Sequence, residues 1–122
     1  VWQLVNYYTG GDWNSNNDRY ARPAYTEAQD LETLGKITIT FDSDGTFNGT
    51  LDGGTFEGKW QANPKDRSFA VIGEIKTSIS LSGKNAEFIK KLKLASYYKG
   101  NSRGFLQLAP DARTTYMQFT HK

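Results

Sequence analysis

Apolar and polar residues alternate most clearly along residues 36–60, which read KITITFDSDGTFNGTLDGGTFEGKW. Ile37, Ile39 and Phe41 fall on one face, and threonines fall on the other, as in a strand with one buried and one wetted face. Turns rich in aspartate and glycine follow at 42–45 and 52–54. The pattern therefore predicts a three-stranded antiparallel meander.

The same alternation predicts further strands on both sides of the meander. We place them at residues 1–8, 68–72, 94–98, 104–108 and 114–120, while residues 76–82 fit either an extended or an irregular segment. In the first strand, Trp2 and Leu4 are expected on one face and Tyr7 on the other.

A helix is predicted from Asn85 to Lys93. Asn85 is a suitable cap, Glu87 falls in the expected first turn, and lysines gather toward the other end, as the helix dipole favours. Phe88 and Leu92 are four residues apart and define an apolar stripe. We expect this stripe to pack against the sheet.

Residues 9–35 form a long insertion between the first two strands. The part from Thr9 to Tyr25 is rich in Gly, Asn, Asp, Ser and Arg, and it is predicted to be a surface loop in which Pro23 prevents regular pairing. Beyond it, the capping-box sequence 26–29 predicts a short helix that closes at Gly35.

Length and composition place the chain among single folded domains. We treat its 122 residues as one domain, 1–122, because a chain of this size buries one core. A net charge of +2 with mixed signs argues against a nucleic-acid partner. The absence of cysteine excludes disulfides, thiolate metal sites and a cysteine nucleophile. Because the chain starts at Val1, we expect that an upstream segment has been removed.

The usual catalytic signatures are missing from the sequence. It contains no G-x-S-x-G elbow, no H-E-x-x-H pair and no phosphate-binding loop, and its single histidine is His121. We therefore expect no enzyme activity and no cofactor. A hydrolase that uses Asp12, Asp18 or Glu27 is kept as a weaker alternative because the insertion that carries them is unusual.

Asp42 and Asp44 open a D-S-D-G sequence that is similar to the start of a calcium loop. The loop pattern is not completed, because strand residues follow at once and the terminal glutamate is missing. We expect a hairpin turn here and no metal site.

Four residues of the insertion are the candidate ligand-binding residues: Trp13, Tyr20, Arg22 and Tyr25. Aromatic rings beside a guanidinium group are typical of sugar or peptide recognition. The alternative is that these aromatic residues anchor a long insertion against the rest of the fold. The lysines around the helix fit an anionic partner or a solvated face, and they are Lys84, Lys90, Lys91, Lys93 and Lys99.

A closed sheet of this sequence has an aromatic interior. The residues expected to face it are Trp2, Leu4, Ile39, Phe41, Phe47, Phe56, Trp60, Leu106, Leu108, Met117 and Phe119. Such an interior either holds a small apolar ligand, as in a lipocalin-like carrier, or is filled by its own side chains.

The order of these features resembles the META domain family, the HslJ-like small domains of bacterial envelope proteins. The resemblance rests on Trp2, the TFDSDGTFNG hairpin, the set Phe56, Gly58 and Trp60, the single main helix and the FLQLAP and YMQF segments. Residues 53–54 are both glycine where that family usually has cysteine and asparagine, so this chain resembles a divergent member.

The resemblance implies a fold and a setting. The fold is mainly β, in the α+β class: an open or cracked antiparallel β-barrel of about eight strands with one main helix packed against it. The implied role is a non-enzymatic one, binding or structural, in a periplasmic, outer-membrane-tethered or secreted protein with an N-terminal lipid anchor as its link to the membrane. We expect a monomer whose partner is a protein, a glycan or a small apolar ligand.

Overall fold

The computed structural model describes residues 1–9, 21–100, 104–110 and 115–121. Its elements in chain order are β1 (Trp2–Thr9), β2 (Arg22–Pro23), α1 (Ala28–Leu34), β3 (Thr38–Phe41), β4 (Thr46–Leu51), β5 (Gly54–Asn63), β6 (Ser68–Thr77), α2 (Gly83–Leu94), β7 (Ala95–Gly100), β8 (Leu106–Pro110) and β9 (Thr115–His121). The predicted meander is confirmed as β3, β4 and β5. Residues 76–77, left open between two conformations, extend β6.

The described strands form one antiparallel sheet that closes into a ring. Neighbours follow the order β1, β3, β4, β5, β6, β7, β8 and β9, and β9 pairs again with β1. Two seams are thin, because β1 and β3 share two residue pairs and β6 and β7 share the single pair Ser68 and Tyr97. The mainly β class with a cracked ring and one main helix is confirmed.

A bulge in β1 reverses the face on which its later residues lie. The register with β9 shifts between Leu4 and Asn6, so Leu4 opposes Phe119 while Tyr7 opposes Met117. Leu4 and Tyr7 are therefore both buried, although strict alternation assigned them to opposite faces. The sequence-based placement of Tyr7 is wrong, because one extra residue in a strand inverts the alternation that follows it.

The D-S-D-G sequence forms the β3–β4 turn. Gly45 has a φ of +89°, which favours glycine. The Asp44 carboxylate accepts hydrogen bonds from the backbone N–H and the hydroxyl of Thr46, at 3.0 and 2.6 Å. These bonds hold the pKa of Asp44 below its usual value. The Asp44 carboxylate therefore stabilises the β3–β4 turn.

Helix α2 begins before the residue that the sequence suggested. Its N-cap is Ser82, so Asn85 lies inside the first turn and Glu87 lies beyond it. The Asn85 side chain is buried and makes a pair of 3.0 Å hydrogen bonds, accepting from the N–H of Asp52 and donating to its carbonyl. The prediction of an Asn85 cap is wrong, because this amide instead joins α2 to the β4–β5 turn.

Asn85→Ala is expected to lower the free energy of unfolding by about 1 to 3 kcal/mol, because two backbone groups of Asp52 lose their partners. Urea denaturation measures the change. Lys90→Ala is the matched control, since Lys90 is exposed on the same helix, and its effect should be small. Equal losses of stability in the two variants would contradict the attachment of α2 to the β4–β5 turn through Asn85.

The core fills the middle of the ring. Phe88, Ile89 and Leu92 of α2 are buried, as the apolar stripe predicted. The Phe88 ring lies 5.5 Å from Phe56 in β5 and 6.2 Å from Phe119 in β9, measured between ring centroids. Because β5 and β9 belong to opposite sides of the ring, α2 covers one of its mouths.

The predicted interior residues divide into two groups. The fully buried group consists of Leu4, Ile39, Phe47, Phe56, Leu108, Met117 and Phe119. The second group is half-buried and packs against this core, and it consists of Trp2, Phe41, Trp60 and Leu106. Side chains therefore fill the centre, and open space lies at the two mouths.

Part of the insertion departs from the sequence-based prediction. Pro23 pairs with Tyr8 as part of β2, so this proline lies in an edge strand, a position that does not need its missing N–H. The short helix is confirmed as α1. Its N-cap is Glu27, without a side-chain hydrogen bond, so the capping box expected from Thr26 is wrong.

Candidate functional site

A pocket of about 560 Å³ opens where α2 meets the ends of β1, β8 and β9. Its lining combines apolar, phenolic and charged side chains, from Tyr7, Ala86, Glu87, Lys90, Lys91, Leu94, Leu108, Pro110, Thr115, Tyr116 and Met117. We call it the helix pocket. Its volume falls in the range typical of small-molecule sites.

Tyr7 contributes the most unusual group in the helix pocket. Tyr7 is 2% exposed, and its hydroxyl has no hydrogen-bond partner within residues 1–9, 21–100, 104–110 and 115–121. Burial, followed by the nearby charge of Glu87 and then by Tyr25, raises the pKa of Tyr7. The phenol is therefore neutral at physiological pH and keeps a proton to donate.

A small network fixes the edge of the helix pocket. Asn6, which is buried just after the β1 bulge, donates to the carbonyl of Tyr25 at 2.7 Å and accepts from its N–H at 3.2 Å. The Tyr25 hydroxyl then donates to Oε1 of Glu87 at 2.8 Å. Lys84 lies 5.1 Å from the Tyr25 ring centroid and pairs with Asp30 of α1 at 2.9 Å. The network joins the insertion to α2.

Two lysines at the helix pocket have no carboxylate partner within the part of the chain that the structure describes. Lys91 places its Nζ 4.6 Å from the centroid of the Tyr7 ring, and Lys90 is exposed beside it. The Glu87 carboxylate, four residues before Lys91, is hydrogen-bonded to Tyr25 instead. The rim therefore carries a local excess of positive charge.

The Tyr25–Glu87 hydrogen bond predicts a loss of stability at alkaline pH. This bond, followed by burial and the charges of Glu87 and Asp30, raises the pKa of Tyr25 from 10.0 to about 12. A raised pKa means that the folded state holds the proton more tightly, so the stabilisation is complete below pH 10 and declines as the pH approaches 12.

Urea denaturation across this alkaline range tests the prediction. Tyr25→Phe lacks the titrating hydroxyl, so its stability should fall less steeply with pH than that of the unmodified protein. Identical slopes for the two proteins would contradict it.

A second, smaller pocket of about 220 Å³ lies at the opposite mouth of the ring. Its walls are mostly aromatic and come from Trp2, Phe41, Trp60, Ala62, Phe69, Tyr98, Leu106 and Leu108. Trp60 is fixed there by donating from Nε1 to the carbonyl of Thr46 at 2.9 Å. His121 stacks on Trp2 with the ring centroids 3.9 Å apart. The histidine is thus at the end of the ring away from the helix pocket.

The candidate binding residues from the sequence fall in different places. Trp13 and Tyr20 lie outside the described residues, Arg22 is exposed in β2, and Tyr25 is half-buried against Glu87. Their assignment to a ligand site stays a prediction. The carboxylates Asp12 and Asp18 of the hydrolase alternative also lie outside the described residues, and Glu27 is the exposed N-cap of α1.

Sequence reasoning named several residues of the helix pocket but did not bring them together in one site. Tyr7 was assigned to the wrong face, and Lys91 was grouped with other lysines that the structure separates. Lys99, for example, is buried in β7, and Lys93 is exposed on α2. Asn6, a polar residue between Val5 and Tyr7, was the available signal, because a buried amide needs hydrogen-bond partners.

The fold and the site together define a small antiparallel β-ring domain with a helix across one mouth and a ligand-sized pocket beside that helix. Neither helix in the described ranges has the length and apolar content needed to cross a bilayer. The chain belongs to the DUF4847 family, a domain of unknown function, whose family model matches residues 1–121.

The solved structures that are similar to this chain include the following two. The crystal structure of a DUF4847 family protein from Bacteroides vulgatus ATCC 8482 has a TM-score of 0.81 and 34% identity, covering 99% of this chain and 91% of that one. The NMR structure of a protein from Burkholderia xenovorans has a TM-score of 0.63 and 15% identity, covering 99% and 80%. This second likeness concerns the fold alone. No curated protein matches the chain.

The resemblance to the META domain family is therefore wrong as an assignment of family. The DUF4847 model covers almost the entire chain, and a DUF4847 structure has the same fold. A hairpin with a D-S-D-G turn and alternating aromatics is favoured in antiparallel sheets generally, so this pattern does not identify a family by itself.

Proposed function

We propose that this protein is a non-enzymatic binding domain whose helix pocket holds a small, largely apolar ligand. The observation that carries the proposal is the buried Tyr7 hydroxyl, which has no hydrogen-bond partner among the residues that the structure describes. An unpaired buried hydroxyl costs free energy, and a bound ligand that pairs with it would recover that cost.

The walls of the helix pocket support the same role. Leu108, Met117 and Leu94 give it apolar surface, and Leu94 is 56% exposed. A ligand that covers Leu94 would remove this surface from water, which is the main source of affinity in apolar sites. The proposal places the ligand beside α2, whereas a lipocalin-like carrier would hold it in the centre of the ring.

A binding role without catalysis is also consistent with the position of His121. This residue, the one histidine of the sequence, stacks on Trp2 at the opposite mouth. The polar groups that line the helix pocket are phenols, two lysines, one glutamate and a threonine. They can orient a ligand through hydrogen bonds and charge.

Binding of the neutral fluorescent probe N-phenylnaphthylamine tests the proposal. Ala86→Phe places a ring in the helix pocket without changing charge, and we expect it to weaken probe binding by about tenfold or more. Ala70→Phe adds the same ring on the exposed side of β6 and should leave binding unchanged. Equal binding by both variants, or no binding by the unmodified protein, would overturn the proposal.

Location and macromolecular partners remain predictions. A periplasmic, outer-membrane-tethered or secreted location followed from the META resemblance, which the family assignment has replaced. Fractionation of cells that express the full gene would test it, and recovery of the protein in the cytoplasm alone would contradict it.

A further inference from the structure

We propose that the ligand of the helix pocket is an apolar monocarboxylate, whose carboxylate accepts a hydrogen bond from the Tyr7 hydroxyl and lies beside the ammonium group of Lys91. This inference rests on the binding function proposed above and adds the chemistry of the headgroup. The preference for a carboxylate follows from three features of the pocket: a hydrogen-bond donor, the charge of the rim and the apolar wall.

The donor comes from Tyr7. Tyr7 lines the pocket, and its buried hydroxyl makes no hydrogen bond to the described residues. Its raised pKa keeps the proton on the oxygen, so the group offers one O–H to a ligand at neutral pH. A carboxylate is the organic acceptor that gains most from such a bond, because hydrogen bonds to ionised acceptors are the stronger ones.

The charge of the rim selects an anion. Among the described residues, Glu87, Lys90 and Lys91 line the pocket, and the Lys84–Asp30 ion pair lies beside it. Glu87 accepts a hydrogen bond from Tyr25 and keeps its negative charge, so the two lysines of the lining outnumber its one carboxylate. Lys90 and Lys91 form no ion pair within the described part of the chain, and Lys91 lies over the Tyr7 ring. A carboxylate at the Tyr7 hydroxyl would therefore have an unpaired cation next to it.

The rest of the pocket lining favours an apolar body for the ligand. Ala86, Leu94, Leu108, Pro110 and Met117 provide apolar walls. A small inorganic anion would leave these walls exposed to water, and a cationic ligand would meet two lysines. An anion with a hydrocarbon body satisfies the headgroup and the walls together.

Calorimetric titration with decanoate and with decanol, at the same ionic strength, tests the inference. The two probes share the hydrocarbon chain and differ in the headgroup. We expect decanoate to bind about tenfold more tightly than decanol. Lys91→Met should remove most of that difference while leaving decanol binding unchanged. Lys93→Met, which changes the same charge on an exposed part of α2, is the matched control and should keep the preference.

Tyr7→Phe provides a second variant with its own readout. It should weaken decanoate binding by about tenfold without lowering the thermal midpoint, because it removes a hydroxyl that has no hydrogen-bond partner in the described part of the chain. A lowered midpoint with unchanged decanoate affinity would assign the hydroxyl a structural role and overturn the inference.

The two proposals fail in distinguishable ways. Equal binding of decanoate and decanol, both blocked by Ala86→Phe, would overturn the carboxylate preference and keep the binding function. Failure of both probes and of N-phenylnaphthylamine to bind would overturn both proposals. A decanoate preference that survives Lys91→Met would overturn the assigned headgroup position.

Discussion

Phe88→Ala is expected to lower the free energy of unfolding by about 3 to 5 kcal/mol, one of the two largest effects that we predict for a single substitution in this protein. Phe88 is fully buried and packs against Phe56 and Phe119 on opposite sides of the ring. Its removal would leave a cavity under α2 and weaken the attachment of the helix that forms one wall of the pocket. Urea denaturation measures the loss.

Phe88→Leu is the matched control for this prediction. It keeps an apolar side chain at the centre of the core, so its cost should be nearer 1 to 2 kcal/mol. If Phe88→Ala cost less than about 1 kcal/mol, the helix would not be anchored through this ring. The helix pocket would then need another source of rigidity.

Gly49→Ala is expected to cost about 3 kcal/mol, at the upper end of the range for over-packing. A Cβ at this position would lie 1.9 Å from the carbonyl oxygen of Thr38 and 2.7 Å from the Phe56 ring. The first contact is with backbone of the neighbouring strand, so the sheet must move to accommodate one methyl group. Thermal or urea denaturation would show the loss.

Gly100→Ala separates this steric effect from the general cost of changing a strand glycine. The nearest atom to a Cβ at Gly100 is the carbonyl oxygen of Phe105 at 3.7 Å, an ordinary contact. The stability of the Gly100→Ala protein should change little or rise slightly, because alanine restricts the conformations of the unfolded chain. Similar losses at Gly49 and Gly100 would show that close approach between β3 and β4 is not the cause.

The sequence predicted most of the fold because its strands follow the two-residue period closely. The pattern of residues 36–60 predicted the meander, and the spacing of Phe88 and Leu92 predicted the apolar face of α2. The structure contains both. The sequence-based predictions were wrong where a residue that fits a local pattern is used by a partner distant in sequence. Asn85 fits a helix cap by its chemistry, yet its amide is used by Asp52, which is 33 residues away.

The site was much less predictable than the fold. Tyr7 enters the helix pocket because the β1 bulge adds one residue before it, and a bulge leaves no reliable mark in a single sequence. Lys91 belongs to the pocket because α2 lies across the mouth above β1 and β9, which is a matter of packing. Tyr25 was singled out from its sequence neighbours, and its hydroxyl meets Glu87, 62 residues further along.

By itself, the sequence determined the class of fold, the meander, the main helix and the absence of cysteine chemistry, because alternation, turn residues and composition act over short distances along the chain. The tertiary structure alone decided which phenol is buried without a partner, which lysines lie beside it and where the ring stays open. Those features depend on residues distant in sequence that meet once the sheet closes on itself, and no local pattern encodes that meeting.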